Sequence, residues 1–531
     1  MIIDARQITD SEIRGSIAII GGGAAGITLA LELGKQFKDV LLLESGGLDL
    51  EPDTQKLYDG NVIGHDTAAL ETARLRFLGG TTNHWEGKCA PLDAIDFERL
   101  PGRPYSGWPF TLDELIPFYK RAYGYCEIGP FRTTSAIVDR AQAAVKQMAE
   151  SPDFVATEFR YSPPTRFGER YRADLRAADN IKVCLHANVV DIAVADGGRE
   201  VTSVAVQTLS GVKFQVKAAA FILCCGGIEN PRILLNCNRV FSNGIGNQND
   251  LVGRFFMDHY EVYGASIVPG HENFDYEPLA YHYEGATRAS VALMNPPDVV
   301  RREGRAGCSV IMDLEFNVSE QLQKAQKSAA YRAFQQLARN ARMGGVGHAL
   351  ATQGCTALGD LGSIATILSD RAMAALGHKA GLKSITLRLE GEQLPNPDSR
   401  VELIDGVDAL GMRKCGLDWK VPADDRNNLY QTALTLAKAV GATGFGRMVM
   451  PMKSVDDDST IGTSFHHMGT TRMHDDPKQG VVDRNCAIHG LANFYVAGSS
   501  VFPTCGRVNP TLSIVTLAIR LADYLKTKVT A

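Results

Sequence analysis

The chain has 531 residues, 45% of them hydrophobic and 22% charged, with a mean hydropathy of −0.09. This is a globular composition, and it excludes a fibrous or disordered chain. Lys and Arg total 55 against 60 Asp and Glu, a net charge of −5 with no long run of one sign. Nucleic acid and a polybasic membrane surface are therefore disfavoured as partners. Apolar runs such as residues 218–225 fall well short of the roughly 20 residues that a membrane helix needs. No charged-then-apolar leader precedes the first strand, so a cytoplasmic protein is expected. The 11 cysteines include no CxxC pair, so neither a disulfide framework nor a metal centre is expected.

Residues 16–20 read as a β-branched strand, 21–26 as a turn, 27–37 as an amphipathic helix and 40–43 as the next strand. That is a β-α-β unit. Its turn, Gly21-Gly22-Gly23-Ala24-Ala25-Gly26, fits GxGxxG through Gly21, Gly23 and Gly26. Glycines at those places permit a tight turn, close approach of a pyrophosphate and close helix-to-strand contact, with the helix N-terminus facing the phosphates. Glu44 ends the second strand, where an acid accepts from the ribose hydroxyls of an adenosine. Ser45-Gly46-Gly47 then reads as a loop around that adenosine. A dinucleotide follows, without the 2′-phosphate of NADP; the motif alone leaves FAD and NAD open.

Further strands are expected at 182–185, 189–194, 201–206, 213–217 and 219–223, followed by a helix near 231–236. A last block opens with a strand at 494–497 and ends in a helix over 510–526. Between these lie alternating strands at 290–294, 310–316, 384–390 and 401–404, interrupted by helical patterns at 321–342 and 359–376. The expected fold is α/β. A Rossmann-type domain is assembled from residues 1–110, 180–260 and 455–531. An α+β substrate-binding domain on a mixed or antiparallel sheet is inserted as 111–179 and 261–454, with a helical insert over 319–378.

Four more motifs stand in order along the chain. They are Leu78-Gly79-Gly80-Thr81-Thr82-Asn83-His84-Trp85, Cys225-Gly226-Gly227-Ile228-Glu229-Asn230-Pro231-Arg232, His466-His467-Met468-Gly469-Thr470-Thr471-Arg472-Met473, and Asn493-Phe494-Tyr495-Val496-Ala497-Gly498-Ser499-Ser500 leading to Val508-Asn509-Pro510-Thr511-Leu512. Together they make the chain resemble the glucose–methanol–choline (GMC) oxidoreductases, flavoenzymes that oxidise alcohols with FAD. Within that family it looks most like the branch of pyranose 2-oxidase and the bacterial glycoside 3-oxidising enzymes. The resemblance implies an FAD-dependent oxidation of a sugar or glycoside secondary alcohol to a ketone, by hydride transfer to flavin N5. The reduced flavin would be reoxidised by O₂ or another acceptor. A non-sugar alcohol such as a cyclitol or sterol is the rival substrate. A nicotinamide dehydrogenase and a protein that holds flavin only structurally are the rival classes.

Alcohol oxidation requires a base for the hydroxyl proton and a polar group that aims the C–H bond at the acceptor. Neutral imidazole suits the first task near pH 7. The resemblance assigns the base to His466 and the partner to Asn509. His467 competes for the base role, because neighbours on an extended segment face opposite ways. Asn509-Pro510 also reads as a helix start, with Asn as cap and Pro at the first helical position. For the cofactor, the resemblance implies contacts from Gly21, Gly23, Gly26, Glu44 and Ser45, and from Gly80, Thr81, Asn83 and His84. Val189 would give a backbone contact to adenine, and Gly498, Ser499, Pro510 and Thr511 would surround the flavin. In some members a histidine at the position of His84 is bonded covalently to the flavin 8α-methyl. Covalent attachment and simple packing both remain open for His84.

Overall fold

The structure, a computed structural model, describes residues 1–132, 135–270, 274–316, 382–457 and 459–529, together with 328, 329, 333 and 365. The helical insert expected over 319–378 lies almost wholly outside the described residues.

One sheet of eight strands forms around the first β-α-β unit. Its order is Ile2–Asp4, Ile181–Leu185, Val40–Leu43, Glu12–Ile20, Lys213–Leu223, Val201–Gln207 and Asn188–Val194, with Phe494–Val496 also paired to Lys213–Leu223. The strands around Glu12–Ile20 run parallel. Ile17, Ala18, Ile19 and Val40–Leu43 are almost completely buried, as expected of parallel strands covered on both faces. Helix Ala24–Leu33 and the last helix, Thr511–Lys528, pack on one another, and Leu112–Tyr125 lies against the latter. The two strands expected at 213–217 and 219–223 are one continuous strand.

A second sheet of nine strands is antiparallel throughout. Its order is Gly446–Val449, Tyr260–Pro269, Leu382–Gly391, Cys308–Phe316, Thr287–Met294, Val155–Tyr161 and Lys88–Cys89. Ile461–Thr463 adds to Tyr260–Pro269, and His282–Glu284 to Thr287–Met294. Lys88–Cys89 and Ile461–Thr463 thus cross from stretches expected in the nucleotide-binding part into the second sheet. The strand expected at 401–404 also differs in its place. Arg400–Val407 joins Arg413–Asp418 and Gly60–Val62 in a separate three-stranded sheet.

The helix expected near 231–236 begins earlier, at Gly226, and carries Pro231 inside it. Proline has no N–H to give the carbonyl one turn before it. That carbonyl, on Gly227, accepts instead from the Thr470 hydroxyl at 2.5 Å. The interruption ties the GGIENPR helix to the HHMGTT segment.

Candidate active site

The β-α-β turn is built tightly. Gly21 has φ +105°, and its N–H donates to the Leu43 carbonyl at 2.8 Å. A Cβ on Gly26 would stand 1.9 Å from the Gly21 carbonyl oxygen, so this glycine is required by contact between helix and strand. A Cβ on Gly23 would meet nothing within 4 Å. Gly23 therefore opens onto free space, which is a cavity of about 570 Å³ running between the two large sheets.

Of the residues expected around a cofactor, Gly21, Gly23, Glu44, Ser45, Gly80, Thr81, His84, Val189, Gly498, Ser499, Pro510 and Thr511 line this cavity. Gly26 and Asn83 do not. Gly26 holds the helix against the turn. The Asn83 amide donates to the carbonyls of Leu78 and Gly80 at 3.1 and 2.9 Å, which shapes the bend that carries Gly80 and Thr81. The buried Glu44 accepts from the N–H groups of Gly22 and Gly46 at 2.8 and 2.7 Å. It thereby fixes both loops beside the cavity. His84 is exposed in the cavity wall, and partial burial followed by the Arg166 cation lowers its pKa.

His466 and Asn509 meet at the other end of the cavity. Asn509 Nδ2 lies 3.1 Å from His466 Nε2. This corrects the reading of Asn509 as a helix cap. The last helix starts at Thr511 with Pro510 in the cap position and no side-chain cap bond. The Asn509 amide is turned to the imidazole instead. Uncapped N–H groups of that first turn carry the positive end of the helix dipole, and Thr511 brings this end to the cavity wall. Asn509 Oδ1 is buried without a hydrogen-bond partner.

His466 Nδ1 faces His259 Nδ1 at 2.8 Å, and His259 Nε2 faces the Gly506 carbonyl at 2.7 Å. Met257 and Met468 exchange both backbone hydrogen bonds. Two residues outward from that bridge on each strand, His259 comes level with His466. Phe465, just before the histidine, has φ +57°, and the Asp258 carboxylate accepts from the His466 N–H at 2.8 Å. Backbone strain of this kind concentrates at functional sites. Burial, then His259 and the Lys88 cation, depress the His466 pKa well below the ordinary imidazole value. The ring is therefore neutral at pH 7. His467 also borders the cavity, but its ring packs on Phe256 with centroids 5.7 Å apart. Its carbonyl accepts from the Ser499 hydroxyl at 2.6 Å.

Sequence reasoning missed a charged wall beside His466. Lys88 Nζ contacts the two Glu390 oxygens at 2.5 and 2.7 Å, and Arg388 lies 3.4 Å from the same carboxylate. Glu261 stands directly opposite Glu390 across the sheet. Burial and the Glu390 charge raise its pKa to about 8, so it is protonated at neutral pH. Like charges placed opposite in a sheet are unfavourable; here a proton on one and a lysine on the other remove the repulsion. Arg388, Glu390 and Glu261 all line the cavity. The alternation Arg388-x-Glu390 within an expected strand was a legible signal of a polar face. His259 offered no local signal.

A second charged cluster lies in the cavity wall near Glu44. Glu229, from the GGIENPR motif, accepts from Arg232 at 2.8 Å and Arg76 at 3.2 Å, with Arg74 at 3.6 Å. Arg74 and Arg76 both stand over the Tyr58 ring, at 4.0 and 4.7 Å.

Residues 395–518 match the family described as GMC oxidoreductase. Among curated proteins, the chain is 23% identical to the fructose dehydrogenase large subunit of Gluconobacter japonicus, over 98% of this chain and 99% of that one. It is 32% identical to a C-glycoside 3-oxidase of Microbacterium trichothecenolyticum over a shorter stretch, 24% of each chain. Among solved structures, pyridoxine 4-oxidase from Mesorbium loti superposes with a TM-score of 0.57 at 17% identity, over 96% of this chain and 99% of that one. The nucleotide turn, the four motifs in order and this fold agree with that match to the GMC oxidoreductases over residues 395–518. The chain is an FAD-dependent oxidoreductase acting on CH–OH groups.

The residues present fit FAD. The Gly23 cradle is open to a pyrophosphate, the cavity volume lies in the range of cofactor sites, and an uncapped helix start and an orphaned amide oxygen await polar groups. Among the described residues no group of three His, Cys, Asp or Glu could hold a metal ion. No described helix is long and apolar enough to cross a membrane.

Proposed function

We propose that this enzyme oxidises a secondary hydroxyl of a sugar or glycoside to a ketone, with His466 as base and Asn509 as its partner. Bound FAD supplies the hydride acceptor, and O₂ or another acceptor reoxidises it. The observation that carries the reading is the 3.1 Å pairing of His466 Nε2 with Asn509 Nδ2 in the cavity wall. A hydroxyl at that point gives its proton to Nε2, while Asn509 Nδ2 donates to its oxygen and fixes its direction. Neutral imidazole is ready to accept because its surroundings disfavour the cation.

A polyol suits the neighbouring wall. Lys88 and Arg388 offer donors and Glu390 offers acceptors, with protonated Glu261 able to do either, so several adjacent hydroxyls can be satisfied at once. The likeness to a fructose dehydrogenase and a C-glycoside 3-oxidase supports the same substrate class. The cysteines among the described residues are all free, which suits a reducing cytoplasm.

Anaerobic stopped-flow reduction of the flavin tests the base. A positioned base contributes roughly 10²–10⁴-fold, so His466→Ala should slow reduction by that order with FAD still bound. If His467→Ala abolishes reduction while His466→Ala leaves it near normal, the roles are exchanged. A panel of glycosides, cyclitols and simple alcohols, run with O₂ and with a quinone acceptor, tests the substrate class. Preference for a cyclitol or sterol over every sugar would reject the sugar reading.

A further inference from the structure

We propose that His259 is the positioning residue that fixes His466 as its Nδ1–H tautomer, leaving the Nε2 lone pair free toward the cavity. The proposal rests on the reading of His466 as the base, and it explains why that base has its lone pair on the correct nitrogen.

The direction is set at the far end of the chain of contacts. A peptide carbonyl can only accept, so the 2.7 Å contact with Gly506 requires the proton of His259 to sit on Nε2. Neutral His259 then has a bare Nδ1, and the 2.8 Å contact requires His466 to donate from its own Nδ1. That leaves His466 Nε2 as an acceptor, matched to the Asn509 Nδ2 donor at 3.1 Å. The opposite assignment would set the bare Nε2 of His259 against the Gly506 oxygen, acceptor to acceptor. A charged ring would relieve that conflict, but both imidazoles are held neutral. Burial dominates for each. Lys88 opposes a proton on both, and for His259 burial outweighs the Gly506 hydrogen bond and the Glu390 charge that favour one.

The carbonyl at the origin cannot easily turn. Gly506 has φ +61°, and its N–H donates to Glu392 at 3.2 Å. A Cβ there would stand 2.6 Å from Leu92 and 2.7 Å from Asp96, so the turn is enclosed. Gly506 and Asn509 belong to one segment of four residues. This segment grips the imidazole pair from both ends, Gly506 through His259 and Asn509 through His466 Nε2. His259 is 1% exposed, so its ring is held for orientation and not for exchange with solvent.

The test reads the tautomer directly. Holoenzyme labelled with ¹⁵N-histidine is examined by long-range ¹H–¹⁵N correlation, with the His466 signals assigned by their loss in His466→Gln. In the wild type, Nδ1 should carry the proton and Nε2 should be bare. His259→Gln keeps the pattern, because its amide can donate to Gly506 and accept from His466. His259→Leu removes the acceptor, and the Nε2–H form should rise to a major fraction, with flavin absorbance confirming the fold. A wild-type His466 protonated on Nε2 overturns the proposal whether or not the leucine variant folds. A leucine variant that keeps only the Nδ1–H form overturns it as well. Normal flavin reduction in His466→Ala would instead reject the base and leave the tautomer result standing.

Discussion

Replacing Glu229 with Gln removes the one negative charge shared by Arg74, Arg76 and Arg232 in the cavity wall near Glu44. Burial alone would raise the Glu229 pKa, but the three guanidinium groups outweigh it and hold the carboxyl at about 2, against an ordinary value of 4.5. At about 1.36 kcal/mol per unit, that depression corresponds to about 3 kcal/mol of folding stability at neutral pH. Breaking a buried ion pair by removing one partner costs roughly 3–5 kcal/mol, the same order. Because the folded-state pKa is the lower one, this stability is complete above the unfolded value and declines as pH falls from 4.5 toward 2. About 1 kcal/mol of it should be gone by pH 4 and about 2 kcal/mol by pH 3. Urea unfolding of wild type and Glu229→Gln, followed by tryptophan fluorescence at pH 7, 4 and 3, measures the gap. A gap under about 1 kcal/mol at pH 7, or one that stays constant down to pH 3, would refute the assignment of charge to this cluster.

Gly23→Val should fold normally, since a Cβ there meets no protein atom within 4 Å, yet purify without FAD because it fills the space for the pyrophosphate. Gly26→Ala should behave the opposite way, failing to give soluble protein, because its Cβ collides with the Gly21 carbonyl. Full flavin occupancy in the first variant rejects the cofactor site. Asn509→Ala should slow anaerobic flavin reduction without lowering the melting temperature, as its side chain caps no helix; a clear loss of stability would contradict that. Acid precipitation of the wild type should release the flavin to the supernatant, with His84 packing against it unbonded. Colour kept in the pellet, and lost from it in His84→Ala, would establish a covalent tether instead.

The nucleotide turn was legible in the sequence because its requirements are local. Gly21, Gly23 and Gly26 answer to backbone conformation and close contact within a single strand–turn–helix unit, and Glu44 follows on the next strand. His466 and Asn509 were legible through the order of motifs around them. Their pairing was expected from the resemblance alone, since 43 residues separate them and local pattern by itself reads Asn509 as a helix cap. Only the tertiary structure turns its amide from the helix end to the imidazole. Lys88, Glu261, Arg388 and Glu390 lie in strands, and His259 just before one, with no local pattern that marks them as a site. Each gains its chemistry from a partner in a distant segment: Glu261 from Glu390 opposite it, Lys88 from the same Glu390, 302 residues away, and His259 from the carbonyl of Gly506, 247 residues away. Local sequence determines backbone conformation within a few residues. The proton positions and charges of this site depend on contacts between distant segments, which exist only once the sheets have paired.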